Sequence, residues 1–207
     1  MILTDEQKDA LTELINIAFS RTAAALSDLT GHRVNLNVPE IAIHPIGELP
    51  ETLSRFVEGE VASVHQIFSG PVSGDAMLML NYEGANVLID LLTGEAAGRG
   101  RIDASGQEVL TEIGNILLNA CLGMFGNLLK VHVTFSVPRL HLESLNAMLD
   151  TLIVGQEELR YALVIYTTFK LKDSSVTGYL VIVLGVASLD RLLHAVEEWA
   201  KTPSPTR

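Results

Sequence analysis

Cysteine is almost missing: the 207 residues include one, Cys121, set in an apolar helical run. A lone cysteine excludes an internal disulfide framework, and its setting is that of a small buried hydrophobe. Basic residues are scarce as well. Lys and Arg number 14 against 25 Asp and Glu, a formal charge of −11. There is no basic cluster and no interleaving of basic and aromatic residues, which argues against nucleic-acid binding. An acidic surface suits a protein that meets other proteins. Long apolar runs are missing too. The longest, Tyr179–Ala187, is far shorter than the roughly 20 residues that cross a bilayer. The N-terminal MILTDEQKD lacks a signal-peptide pattern. The expectation is a cytoplasmic protein with no membrane insertion.

Self-contained catalytic motifs are absent in turn. There is no P-loop, HExxH, GxSxG or CxxC pair. His32, His44, His65, His132, His141 and His194 are scattered without ligand spacing. No metal site is therefore expected. The glycines of SGPVSG (residues 69–74) form a turn rather than a phosphate cradle.

What the chain does have is apolar bulk, 48% of residues, and one long repeat. Asp9, Glu13, Asn16 and Ser20 recur 99 positions later as Glu108, Glu112, Asn115 and Asn119, and Pro39 recurs as Pro138. Thr12/Thr111, Ile17/Ile116, Leu29/Leu128, Val34/Val133 and Val38/Val137 are identical at the same offset. This period exceeds the roughly 20–50 residues of solenoid units, so it marks a duplicated half-domain.

Helical spacing sets the four polar residues of each copy on one stripe, because i, i+4 and i+7 share a face. Leu11, Leu14, Ile15, Ala18 and Phe19 surround the first stripe, and Leu110, Ile113, Ile116, Leu117 and Leu118 the second. A solvated face of an amphipathic helix has the same look. Two facts argue for more. Exposed faces of duplicated helices are free to diverge, yet Glu and Asn are identical in both copies. Asn is also a poor mid-helix residue, since its side chain competes for backbone hydrogen bonds.

Taken in order, Thr4 and Gln7 offer a capping box for a helix that ends at Gly31. Val34–Val38 alternates as a strand, and Pro39 after it calls for an edge, a bulge or a strand end. Glu51–Val57 reads as a short helix, Glu60–Phe68 and Asp75–Tyr82 as a hairpin, and Glu83–Leu92 as a helix closed by Gly94. Gly94–Gly100 is the linker. Asp103 or Ser105 then caps a helix from about Gly106 to Leu129. Lys130–Leu142 is expected to hold a strand that passes Pro138. Glu143–Leu152 reads as a short helix, Glu158–Lys172 and Val176–Gly185 as a long hairpin, and Leu189–Ala200 as a helix capped by Ser188.

Each half thus reads helix, strand, strand, strand, helix. A lone half leaves an apolar face and a sheet edge exposed, and pairing two halves buries both. The expected fold is α/β in the α+β sense. It is one pseudo-twofold domain over residues 1–207, with half-repeats at about 1–96 and 101–200 and a flexible tail at 201–207. The sheet is largely antiparallel, and the two long helices carry the stripes.

A Glu and an Asn one turn apart suit a hydrolysis whose electrophile comes from a partner. The carboxylate pairs with a cation or acts as a base, and the carboxamide orients a water through one donor and one acceptor. Glu13-x2-Asn16, with Asp9 four residues before and Pro39 after 22 intervening residues, resembles the signature of the CheC/CheX/FliY chemotaxis phosphatases. Glu112-x2-Asn115 repeats it, again 22 residues before Pro138. The two-half layout resembles CheC; CheX carries one such motif, and FliY adds a flagellar switch domain.

The resemblance implies dephosphorylation of a phosphorylated CheY-like response regulator in chemotaxis or two-component signalling. Glu13 or Glu112 then pairs with the receiver's active-site lysine, and Asn16 or Asn115 orients water for in-line attack on phosphorus. The magnesium belongs to the receiver, and no cofactor is needed in this chain. Asp9, Ser20, Glu108 and Asn119 are supporting positions, and Pro39 and Pro138 are shape-setting. CheC proteins are also CheD partners, so the alternative is a non-catalytic adaptor for a receiver or a CheD-type deamidase. The chain departs from the family pattern in lacking glycines around Asn16, keeping only Gly114 before Asn115, and placing Glu108 where Asp or Ser is usual.

Overall fold

The computed structural model describes residues 3–31, 33–55, 57–94, 101–153, 160–171 and 174–201. The Gly94–Gly100 linker beyond Gly94, and the tail from 202, lie outside the described residues.

Helix α1 (Asp5–Thr30) starts on the expected capping box. Thr4 Oγ1 accepts from the Gln7 amide at 3.2 Å, and Gln7 Oε1 accepts from the Thr4 amide at 2.9 Å. Two of the helix's orphan donors are thereby satisfied. Gly31, at φ 66°, closes it in the left-handed region that favours glycine. Its copy, α4 (Ala104–Leu129), is capped by Asp103, whose carboxylate accepts from the Gly106 amide at 2.8 Å. Ser105 therefore lies inside the helix.

Strands β1 (Val34–Pro45), β2 (Glu60–Ser69), β3 (Gly74–Asn81), β4 (Thr134–Phe135), β5 (Arg139–Ser144), β6 (Arg160–Leu171) and β7 (Ser174–Gly185) make one antiparallel sheet. Its order is β1-β6-β7-β3-β2-β4, with β5 also on β2. Each half supplies its first strand to the other half's hairpin: β1 lies on β6, and β5 lies on β2. The central pair β3–β7 joins the hairpins, with Leu78 facing Leu180 near its middle. By this exchange each hairpin gains a pairing partner from the other repeat.

One correction concerns the strand through Pro138. It is broken into β4 and β5, and residues 136–138 leave the ladder. The register shows why. His65 pairs with Arg139 and Phe68 with Phe135, so three residues on one chain face two on the other. In β1, Asn37 pairs with Thr168 and Glu40 with Tyr166, again one residue too many. Both prolines thus sit in a one-residue bulge, where the missing N–H costs no ladder bond. A second correction concerns the last helix, α6, which runs Val186–Lys201 directly out of β7. Ser188 lies within it and is not its cap.

Helices α1, α4, α6 and α3 (Tyr82–Thr93) cover one face of the sheet. Ile15, Phe19, Leu117, Leu118 and Cys121 bury there against Val64, Leu78, Ile165 and Phe169. The short helices α2 (Leu49–Ser54) and α5 (Leu145–Ile153) cover part of the opposite face, where Leu49, Leu53, Leu145 and Leu149 bury against Met77, Met79, Val164 and Val181. The alternation of β2 divides it between the layers: Ala62, Val64 and Phe68 go to the first core, and Val61 to the second.

Among the described residues, α4 is long and apolar enough to cross a membrane by length and composition. Half of that stretch is buried in this fold, against α1, α3, α6 and the sheet.

Candidate functional site

The four candidates of the first copy lie together on the outer side of α1. Asp9, Glu13, Asn16 and Ser20 are all exposed, and so is Ile17, at 40%. Ser20 donates from Oγ to the Asn16 backbone carbonyl at 2.8 Å, so its hydroxyl serves the helix. Among the described residues, no hydrogen bond reaches the Asn16 carboxamide.

On α4 the same stripe is set differently. Glu108 and Glu112 are exposed, but Asn115 and Asn119 are half-buried. Asn119 Nδ2 donates to Asn115 Oδ1 at 2.7 Å. Gln66 Nε2, from β2, donates to Asn119 Oδ1 at 3.3 Å and to the Ser136 carbonyl at 2.9 Å. The cause of the deeper seat is Gly114. A Cβ there would lie 2.5 Å from Val64, so glycine lets α4 rest directly on β2. The corresponding residue of α1 is the fully buried Ile15, a far bulkier spacer.

Neither Glu13 nor Glu112 enters an ion pair among the described residues. Each presents a free carboxylate one turn before an asparagine, on helices that pack side by side. The identical threonines of the repeat, Thr12 and Thr111, turn back to the carbonyls of Lys8 and Gln107 at 2.8 and 2.7 Å. Glu13, Asn16 and Glu112 face outward, and Asn115 is half-buried against Asn119. Pro39 and Pro138 mark the two bulges and lie off the stripe. Such an arrangement can receive a cation at the carboxylate and order a water at the carboxamide, and it brings no electrophile of its own.

Sequence reasoning missed Gln66 and Ser136. The signal available for Gln66 was its parity: it shares the inward face of β2 with Ala62, Val64 and Phe68. It also missed a cleft of about 520 Å3 on the opposite face of the sheet, lined in part by His65, Asp75, Arg139, His141 and Arg160. There Asp75 is bonded to Arg160 and lies 3.2 Å from His65 Nε2, and the His65 and His141 rings are 6.4 Å apart. The His65 hydrogen bond, then that of Arg160, holds the Asp75 carboxyl below the usual carboxylate range against the opposing effect of burial. Among the described residues, no group of three or more His, Cys, Asp or Glu is placed to hold a metal ion.

Fold and site together define an α+β domain that carries a Glu-x-x-Asn pair on each of two long helices. No family model matches the chain. Its relatives include the CheY-P phosphatase CheC of Bacillus subtilis, 26% identical over 154 residues, which covers 72% of each protein. The crystal structure of Thermotoga maritima FliY has the same fold, with TM-score 0.77, 19% identity and coverage of 96% of this chain and 99% of that one. The FliM middle domain from H. pylori shares it at TM-score 0.65 and 16% identity, covering 93% and 99%. In sequence the chain is thus similar to CheC, and in fold to FliY and the FliM middle domain.

Proposed function

We propose that this chain hydrolyses the aspartyl phosphate of a phosphorylated CheY-like receiver domain. The observation that carries the reading is the pair of unengaged carboxylates, Glu13 and Glu112, each one turn before an asparagine on an outward helix face. The relative named as a CheY-P phosphatase supports it.

In this reading a stripe docks on the receiver's phosphorylation site. Glu13 or Glu112 pairs with a receiver lysine and fixes the register of docking. Asn16 or Asn115 orients a water in line with the phosphorus–aspartyl oxygen bond. The water oxygen bonds to phosphorus as the phosphorus–aspartyl oxygen bond breaks, the aspartate leaves as carboxylate, and both protons of the water leave with inorganic phosphate as dihydrogen phosphate. Phosphoryl transfer needs positioning and charge compensation above all, and the receiver's magnesium supplies the latter. Asp9, Ser20, Glu108 and Asn119 support the stripes, and Pro39 and Pro138 shape the strands beneath them. A cytoplasmic location goes with such a substrate, and a CheD-type deamidase is the second partner to test.

The test follows loss of phosphate from a phosphorylated CheY-like receiver with the protein at substoichiometric amounts. Wild type is compared with Asn16→Ala, Asn115→Ala and the double variant. The expected result is acceleration by wild type and decay at the receiver's own rate with the double variant. Full activity in the double variant overturns the assignment of the asparagines. Receiver binding without acceleration by wild type replaces hydrolysis with an adaptor role.

A further inference from the structure

The two halves carry the same signature but do not support it equally. Asn115 is tied into the sheet: Asn119 donates to its Oδ1 at 2.7 Å, and Gln66 donates to Asn119 at 3.3 Å. Gln66 is 2% exposed, and its amide also holds the Ser136 carbonyl at 2.9 Å. Ser136 is itself fixed, since its hydroxyl accepts from the Ile67 amide and its amide donates to the Ile67 carbonyl, both at 2.9 Å. The Ser136 carbonyl thus meets Gln66 from the bulge that Pro138 marks.

The counterpart of Gln66 follows from the register. Ile41 faces Ile165 in one half, and its copy Leu140 faces Val64 in the other, so Val64 corresponds to Ile165. Two residues on, Gln66 corresponds to Thr167. Thr167 is fully buried, opposite the Pro39 bulge, and its hydroxyl has no hydrogen-bond partner among the described residues. It is too short to make the bridge, and Ser20 has turned to the helix backbone. The first half thus keeps the helix position, the bulge and the buried polar residue beneath it, and among the described residues shows none of the bonds between them.

We propose that Gln66 is a positioning residue for the second site. Acting through Asn119, it holds the Asn115 carboxamide in one orientation, with one Oδ1 lone pair and both N–H groups free to order the attacking water. The exposed Asn16 carboxamide must be ordered at each encounter. The second site is therefore the faster one once a receiver is docked. This inference rests on the phosphatase reading above.

The test uses the full chain with the first site silenced by Asn16→Ala, and a CheY-like receiver phosphorylated with acetyl phosphate. Gln66→Met keeps the side chain's length and removes its donor. The expected result is a fall in kcat of about tenfold, with KM and affinity for the beryllofluoride-loaded receiver within twofold. Asn119→Ala gives a similar fall, and the two together give no further loss, as members of one relay do. Thr167→Val in an Asn115→Ala background changes turnover by less than twofold. A kcat within twofold of the parent for Gln66→Met overturns the proposal. So does an equal loss when Gln66→Met is placed in the Asn115→Ala background, because that is the mark of a general structural role. Failure of the underlying reading looks different: the Asn16→Ala, Asn115→Ala pair then retains wild-type turnover whatever stands at position 66.

Discussion

Gly114 lies directly on Val64, so close that a Cβ on the glycine would sit 2.5 Å from two of the valine's side-chain carbons. This contact sets the depth of α4 on the sheet and so the reach of Asn115 to its neighbours. Gly114→Ala gains up to about 1 kcal/mol of helix propensity but forces the backbones apart, an overpacking cost of roughly 1–3 kcal/mol. The expected net result is a less stable protein. Gly123, in the same helix, has nothing within 4 Å of its would-be Cβ. Gly123→Ala is expected to stabilise by about 0.4–1 kcal/mol. Denaturant titration of both variants checks the pair, and a stabilised Gly114→Ala would refute the contact.

The free carboxylates lead to a binding prediction. Glu112→Gln in a Glu13→Gln background removes the remaining charge-assisted bond to the receiver, of about 1.5–3 kcal/mol. Affinity for a CheY-like receiver is expected to fall about tenfold or more, and the affinity that remains is expected to depend less on salt. Titrations at low and high ionic strength measure both. An unchanged salt dependence would remove Glu112 from the contact.

Asp75 leads to a prediction in pH. Its folded pKa is depressed by His65 and Arg160, so its stabilisation is complete above the unfolded value near 4 and is lost as pH falls through the folded value. Arg160 is 9% exposed, so Asp75→Asn leaves a largely buried guanidinium without its carboxylate. The expected cost at neutral pH is about 3 kcal/mol. The gap between wild type and variant is expected to close below about pH 4. Stability curves from neutral to acid pH decide it; a gap that persists in acid would show that charge is not the cause.

Cys121 is fully buried under α1 and the sheet, and burial pushes its thiol far above the ordinary range. A thiol reagent is therefore expected to be nearly inert towards the native protein and to titrate one thiol per chain in denaturant. Rapid native reaction would mean that the α1/α4 layer opens readily.

Much of the architecture was legible because it rests on local rules. The capping box at Thr4 and Gln7, the closing glycines at 31 and 94, and the two hairpins each follow from a few neighbouring residues. The broken strand at Pro138 was not legible, since a bulge depends on register against β2, 70 residues away for the Gln66–Ser136 contact. The start of α6 was missed for a related reason: Val186 continues the apolar run of β7, and nothing local separates strand from helix there.

The sequence by itself determined that this protein is two copies of one half-domain, each with Asp or Glu, Glu and Asn on one helix face and a proline at a fixed distance. Helical periodicity and a gapless repeat are properties of the chain alone. Only the tertiary structure decided that the copies are unequal. The sheet exchanges its edge strands between halves, so the residue beneath each asparagine comes from a hairpin far from it in sequence. Gln66 reaches the second stripe and Thr167 does not reach the first. The difference lies in the length of a buried side chain, which has meaning only once the two strands are paired.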